Sequence, residues 1–115
     1  MGETTLKNCV SEFIGTYLLV LTVGCNVIGG SSTWAALSIA ASLMVGIYSL
    51  GSVSGANFNP AVSLALFLTG NMDAGKMGIY MATQVVGGIC ASLTYPESER
   101  EGVDAGTSWY LEVDS

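Results

Sequence analysis

Residues 13–72 contain no Asp, Glu, Lys or Arg, and this uncharged stretch is the strongest constraint on the fold. It is long enough to supply helices that cross a ~30 Å hydrocarbon core, each of which needs about 20 apolar residues. The composition agrees, because 50% of the 115 residues are hydrophobic and 10% are charged, whereas about a quarter are charged in a soluble domain. We therefore expect an all-α membrane protein.

Three segments are predicted to be transmembrane helices, at about residues 9–29, 34–51 and 74–95. Each is apolar over most of a membrane-spanning length. A polar turn rich in Gly and Ser separates the first two segments, and a second polar turn precedes the third. The three segments form one predicted membrane domain over residues 1–95, and an acidic tail follows over residues 96–115.

A shorter helix is predicted between the second and third spans. Asn59 is a preferred N-cap residue, and Pro60 is favoured at the first helical position because its missing N–H costs nothing there. Gly70 is a typical C-terminal stop. A helix over residues 60–69 is roughly 15 Å long, which is half of the hydrocarbon core. We expect a re-entrant half-helix whose N-terminus lies near the middle of the bilayer.

The start of this half-helix has the chemistry of a solute path. A helix N-terminus carries a partial positive charge. The Asn59 side-chain oxygen is predicted to accept from a backbone N–H one or two residues beyond Pro60, so its amide donors would be free. Irregular backbone at residues 52–59 is tolerated at this depth only where it is buried in protein or lines water. These features favour neutral hydrogen-bonding solutes and disfavour cations.

The sequence of Ser54–Ser63, Ser-Gly-Ala-Asn-Phe-Asn-Pro-Ala-Val-Ser, resembles the first Asn-Pro-Ala loop of the aquaporin, or major intrinsic protein, family. The resemblance spans roughly residues 9–94. It includes Ser11–Leu19 in the first span, Val45–Gly51 before the loop, and the Tyr-x-x-x-Gln-x-x-Gly pattern of Tyr80–Gly87. The family match therefore rests on several segments and not on one tripeptide.

The resemblance implies half of an aquaporin-like fold, with three transmembrane helices and one re-entrant half-helix. Family members contain two such halves in inverted orientation. The second Asn-Pro-Ala motif and the arginine-bearing loop that follows it do not occur in this sequence. The implied function is a half-pore for passive transport of water or small neutral solutes, such as glycerol, when it is paired with a second half.

The resemblance also implies which residues face the pore. These are Asn59, Pro60 and Ala61 of the motif, together with Asn57, which stands where relatives often have His. By a gapless alignment, Ile39 takes the position of the filter residue in the second span, which is often aromatic in relatives.

Two polar side chains lie within otherwise apolar spans. Glu12 is near the start of the first span, where a carboxylate calls for partners inside the protein. The resemblance implies that it braces the backbone of the Asn-Pro-Ala loop, and a position among the lipid head groups is the alternative. Gln84 is predicted to hydrogen-bond to a neighbouring helix or to the loop backbone. A pore-facing role for Gln84 is the second possibility.

Small residues recur at a spacing of four and predict helix-packing faces, because they let helix backbones approach closely. They are Ser38, Ser42 and Gly46 in the second span, Gly51 and Gly55 where the loop is expected to open, and Thr83, Gly87 and Ala91 in the third span.

Several functions have little support. The chain has no His, which is the commonest general base and metal ligand. Cys9, Cys25 and Cys90 lack metal-ligand spacing and are expected to pack as small apolar residues. With three Lys and Arg against nine Asp and Glu, nucleic-acid binding has no electrostatic basis. We therefore expect no enzyme activity, no metal, no other cofactor and no nucleic-acid partner.

Charge predicts the orientation in the membrane. Lys7 and Lys76 lie on one side if the loop is re-entrant, and the positive-inside rule makes that side the cytoplasmic one or its equivalent. The tail over residues 96–115 would then emerge on the opposite side. It holds six of the nine acidic residues. It is expected to contact another protein, or to dock on its own helices through residues 109–111.

A single half-helix cannot close a pore, because the other wall would be lipid and loop carbonyls facing hydrocarbon would each cost several kcal/mol. Besides membrane lipid, we expect a partner: a second copy, another half-channel, or an unrelated membrane protein. Two functions are therefore open. The chain is either half of a channel or a non-conducting structural subunit of a larger membrane complex.

Overall fold

The computed structural model describes residues 3–30 and 33–94, and these ranges contain four helices and no strand. The helices are α1 over Glu3–Ile28, α2 over Ala35–Ser54, α3 over Pro60–Leu68 and α4 over Ala74–Thr94. Three of them, α1, α2 and α4, are long and apolar enough to cross a membrane. The predicted fold class, three transmembrane helices and one half-helix, is confirmed. Predictions for the acidic tail over residues 96–115 lie outside the described residues.

Helix α1 is the centre of the bundle. It packs against both α2 and α4, and α3 packs against α4. Helices α1 and α4 begin at the same end of the molecule, where Thr5 and Asn8 lie beside Lys76. Helix α1 starts at Glu3, earlier than the span predicted from residue 9, because the polar residues before the apolar run continue the helix.

The end of α2 differs from the prediction. Gly51 was expected to open the loop with Gly55, but Gly51 lies inside α2, which continues to Ser54. Gly55 adopts the left-handed conformation with φ of 91°, and its N–H donates to the Gly51 carbonyl at 2.9 Å. This C-cap fixes the loop opening at Gly55, because a left-handed residue costs least when it is glycine.

Helix α3 is short because both of its ends are defined by sequence. Pro60 begins it, and Thr69 is its C-cap. Beyond the cap, the N–H of Gly70 donates to the Phe67 carbonyl at 3.0 Å and that of Asn71 donates to the Leu66 carbonyl at 2.8 Å. This pattern is a Schellman motif, which Gly70 permits with its φ of 76°. Nine helical residues extend about 13 Å, so the helix covers less than half of a ~30 Å core.

The small residues of α2 face α1 and the loop. Ser38 accepts a hydrogen bond from the Asn26 amide at 3.0 Å, and Ser42 accepts one from the Thr22 hydroxyl at 3.1 Å. Gly46 is buried. These contacts join α1 and α2 along their length, and they use the serine hydroxyls as well as the small size of the side chains.

The small residues of α4 pack on α1. A Cβ atom added at Gly87 would lie 3.0 Å from the carbonyl oxygen of Phe13, so the two helices approach closely there. Ala91 is fully buried. Thr83 instead bonds within its own helix, to the carbonyl of Ile79 at 2.8 Å.

Candidate functional site

The candidate site is the start of α3, where Asn59 caps the helix. Asn59 has extended backbone angles, with φ of −154° and ψ of 128°. Its side-chain Oδ1 accepts from the Ala61 N–H at 2.8 Å. This spacing follows from the sequence, because Pro60 occupies the first helical position and has no N–H to donate. The Asn59 side chain is exposed, and its Nδ2 donates no hydrogen bond within residues 3–30 and 33–94.

Glu12 of α1 is fully buried and accepts four hydrogen bonds. Its Oε1 accepts from the Ser54 hydroxyl at 2.7 Å and from the Asn57 N–H at 2.9 Å. Its Oε2 accepts from the Phe58 N–H at 2.7 Å and from the Gln84 amide at 2.8 Å. All four partners are neutral donors, and hydrogen bonds to an ionised acceptor are the strong ones. Glu12 therefore lies inside the protein against the loop backbone, and not at an exposed head-group position.

A second group of polar contacts holds Ser54, at the end of α2. Its hydroxyl accepts from the Ser11 hydroxyl at 2.9 Å and from the Ala56 N–H at 3.1 Å. Its carbonyl accepts from the Tyr80 hydroxyl at 2.7 Å. Three helices thus meet at one serine, because Ser11 belongs to α1 and Tyr80 to α4.

Ser63 forms the corresponding contact on α3. It accepts from the Asn57 side-chain amide at 3.1 Å and from the Gln84 amide at 3.0 Å. Asn57 is 7% exposed and Gln84 is 1% exposed. The Asn57 side-chain amide turns inward to Ser63, and a pore-facing position for this residue stays a prediction. Gln84 is likewise buried between Glu12 and Ser63.

A depression of about 390 Å³ lies beside the start of α3. Asn59 and Pro60 line it, together with Phe58, Thr16 and apolar side chains of α1 and α4. Ile39 is not part of this lining and is partly exposed on α2. Ala61 is exposed next to the cap. Within the described ranges, the depression therefore has a mostly apolar wall, and its polar lining residues are Thr16, Asn59 and Gln84.

The loop between α2 and α3 has unusual backbone angles. Besides Gly55, two non-glycine residues have positive φ, Ala56 at 54° and Phe58 at 53°. Such angles are uncommon for residues with a side chain. The Phe58 ring is 2% exposed, and it lies against Gly15 of α1 and Gly46 of α2.

Several residues of this site lie in the segments that carry the family resemblance, but no role was predicted for them. Ser54 and Ser63 flank the Asn-Pro-Ala motif on each side. The full set is Ser11, Gly15, Ser54, Phe58, Ser63 and Tyr80.

The apolar helices and the capped half-helix define an integral, multi-pass membrane protein. The chain belongs to the major intrinsic protein family, whose family model matches residues 2–108. Members of this family are channels. Within the described residues, no group of His, Cys, Asp and Glu side chains could hold a metal ion.

The chain is similar to three curated relatives from different organisms. It is 37% identical to Putative aquaporin NIP4-1 of Arabidopsis thaliana over 76% of the chain and 34% of the relative. It is 38% identical to Glycerol uptake facilitator protein of Pseudomonas aeruginosa over 73% of the chain and 33% of the relative. It is 34% identical to Aquaporin Z of Photorhabdus laumondii over 91% of the chain and 50% of the relative.

The chain therefore spans about a third of the length of the first two relatives and half of the third. No solved structure matches it with significant similarity.

Proposed function

We propose that the chain forms half of a channel for passive movement of water or small neutral solutes, such as glycerol, and that a second half completes the pore. One observation carries the proposal. The Asn59 oxygen is engaged by the Ala61 N–H, while the Asn59 amide donors are exposed at the start of α3. An amide N–H in this position can donate to the oxygen of water or of an alcohol.

The charges around Asn59 favour a neutral solute over a cation. The N-terminus of α3 carries a partial positive charge, which repels cations within about one turn. Glu12 of α1 is the acidic residue that contacts the loop. It is buried, and its two oxygens accept from four donors. Glu12 thus presents no free carboxylate oxygen to the solute. The mostly apolar wall beside Asn59 holds no charged side chain that could compensate a cation for its lost hydration shell.

The need for a second half follows from the exposure of Asn59. An amide that faces hydrocarbon without a hydrogen-bond partner costs roughly 2–7 kcal/mol. The depression at Asn59 is open on one side, since protein supplies only the wall made by α1, α3 and α4. We propose that another half-channel, either a second copy of the chain or a different one, covers this side and encloses the water.

The names of the similar proteins support this class of solute. Two of the three are called aquaporins, and the other is called a glycerol uptake facilitator. Lys7 and Lys76 start the two parallel helices, and we propose that this end faces the cytoplasm or its equivalent.

The test is osmotic permeability in proteoliposomes, measured by stopped-flow light scattering with sucrose and with glycerol as osmolytes. We expect the wild-type chain, with its assembly verified by cross-linking, to raise water or glycerol permeability above that of protein-free vesicles. The variant Asn59→Asp keeps an oxygen for the cap and removes the amide donors, so it should abolish the increase. The matched control is Asn71→Asp, which makes the same change in the exposed turn after α3.

A permeability equal to that of empty vesicles, with assembly intact, would refute the proposal. That result would favour the alternative function, a non-conducting structural subunit of a larger membrane complex. Equal permeability of the wild type and Asn59→Asp would leave a channel but would remove Asn59 from its mechanism.

A further inference from the structure

We propose that Phe58 is a positioning residue, whose ring is held in a slot between Gly15 of α1 and Gly46 of α2 and thereby sets the direction of the Asn59 side chain. The placement of the ring stands on contacts alone. Its consequence for conduction rests on the proposed function.

The slot exists because both helices carry glycine where the ring lies. A Cβ atom added at Gly46 would lie 2.9 Å from Cε2 of Phe58, closer than real Cβ contacts allow. A Cβ atom added at Gly15 would overlap the ring edge formed by Cδ1, Cε1 and Cζ. The ring is 2% exposed, so it fills the slot. Neither glycine lies at a turn, and both are inside helices, where glycine is costly relative to alanine.

The ring supplies a constraint that the hydrogen bonds of the loop do not. The Phe58 N–H donates to Glu12 at 2.7 Å, which fixes one point of the backbone. A single bond of this kind still permits rotation about its own axis. The ring is a second attachment point on the same residue, and the Asn57 N–H, which donates to Glu12 at 2.9 Å, is a third, so together they fix the orientation of the peptide that leads to Asn59. Phe58 has a φ of 53°, a strained value that persists only where the surroundings hold it.

The position of Asn59 depends on this plane because the two residues are adjacent. Phe58 and Asn59 line the same depression, and Asn59 itself has an extended φ of −154°. If the ring leaves its slot, the backbone at Phe58 can relax toward negative φ. The Asn59 amide would then point away from the depression, even though its cap with α3 can persist.

A size-exchange cycle tests this inference. Gly15→Ala adds a methyl group that displaces the ring, and Phe58→Leu removes the ring atoms Cε1, Cε2 and Cζ, so the smaller side chain can turn away from the added methyl group. Leucine is chosen because it is not branched at Cβ and so tolerates positive φ better than valine. The double variant should restore the slot. Gly78→Ala is the matched control, since this glycine is also inside a helix and has open space where a Cβ would go.

The first readout is hydrogen exchange of the Asn57 and Phe58 amides in detergent micelles. We expect Gly15→Ala to speed exchange at these amides on the order of tenfold, which is typical for coupled contacts. Exchange along α4 should not change. The control should have the wild-type exchange rates at all amides. In the double variant, exchange at Asn57 and Phe58 should return most of the way to the wild-type rate. If Gly15→Ala fails to fold, the cycle is repeated with the milder Gly46→Ala.

The second readout is glycerol permeability per inserted protein, which should fall in Gly15→Ala and recover in the double variant. The proposal is overturned if the exchange rates of the double variant show the sum of the two single-variant effects. It is also overturned if Gly15→Ala speeds exchange equally along α4, because the ring would then only stabilise the fold. A wild type that does not conduct, with the exchange pattern as expected, refutes the proposed function and leaves the positioning by Phe58 intact.

Discussion

Replacing Glu12 with glutamine should open the loop, although the two side chains have nearly the same shape. The carboxylate accepts from the Ser54 hydroxyl, the Gln84 amide and the N–H groups of Asn57 and Phe58 at distances of 2.7–2.9 Å. An amide has one oxygen and one NH₂ group, so it can accept at only one of the two positions.

The cost follows from what each orientation of the new amide leaves unpaired. If the oxygen of the new amide takes the place of Oε1, its NH₂ group faces the Phe58 N–H, which then has no acceptor. Gln84 can rotate its own side-chain amide so that its oxygen accepts from this NH₂ group. With the oxygen of the new amide in the place of Oε2, the Asn57 N–H is the unpaired group. One backbone donor is therefore always lost. A hydrogen bond to a charged group contributes about 1.5–3 kcal/mol, which corresponds to roughly 10- to 150-fold in the opening equilibrium.

The assay for Glu12→Gln is exchange of the Asn57 and Phe58 amides by NMR in micelles, under conditions where exchange reports the opening equilibrium. The control is Asp73→Asn, the same chemical change at an exposed carboxylate that accepts from the Lys76 N–H at 3.0 Å. Asn and Asp cap helices about equally well, so this control should leave exchange in the loop unchanged. An increase below about threefold for Glu12→Gln would refute the reasoning, because the smallest expected loss already gives about tenfold.

Three further variants test single contacts, each by reversible unfolding in mixed detergent micelles. Tyr80→Phe removes only the hydroxyl that donates to the Ser54 carbonyl at 2.7 Å, and it should lower the free energy of unfolding by about 1–2 kcal/mol. Ser63→Ala removes the hydroxyl that accepts from the Gln84 amide at 3.0 Å and from the Asn57 amide at 3.1 Å, and the buried N–H groups left without this acceptor should cost about 1–3 kcal/mol. Asn59→Ala removes the cap of α3 and should cost about 1 kcal/mol, whereas Asn59→Asp should not. A decrease in the free energy of unfolding of less than about 0.5 kcal/mol, the usual range for neutral surface changes, would show that the contact does not stabilise the fold as expected.

The parts of the structure that depend on residues close together in the sequence could be predicted from the sequence. The uncharged stretch and its polar turns predict three spans, and the fold class is confirmed. The start and end of α3 are equally local, because Asn59 reaches the N–H of Ala61 two residues away and Gly70 directly follows the C-cap residue, Thr69. Short-range caps of this kind need no knowledge of how the helices pack.

The interior of the site could not be predicted in the same way. Ser11 and Ser54 are 43 residues apart, and Glu12 and Gln84 are 72 apart. No periodic pattern encodes contacts over such separations, so a buried serine looks like any other small residue of a packing face. Asn57 is an example. Its position in the motif implied a pore-facing role by resemblance, and no local pattern indicated that the Ser63 hydroxyl accepts from its side-chain amide at 3.1 Å.

The position of Glu12 explains why a carboxylate, in spite of its desolvation cost, suits this loop better than a neutral group. Residues 55–58 are not helical. The N–H groups of residues 55 and 56 donate to α2, but those of Asn57 and Phe58 need another acceptor, and hydrocarbon supplies none. A carboxylate has about four lone-pair sites, and here all are used by donors from the loop, α2 and α4. Because all of these donors belong to the chain itself, we expect the loop geometry not to depend on the proposed second half of the channel. The exchange rates of the Asn57 and Phe58 amides should therefore be the same before and after the partner binds, whereas solvent access to the Asn59 amide should change.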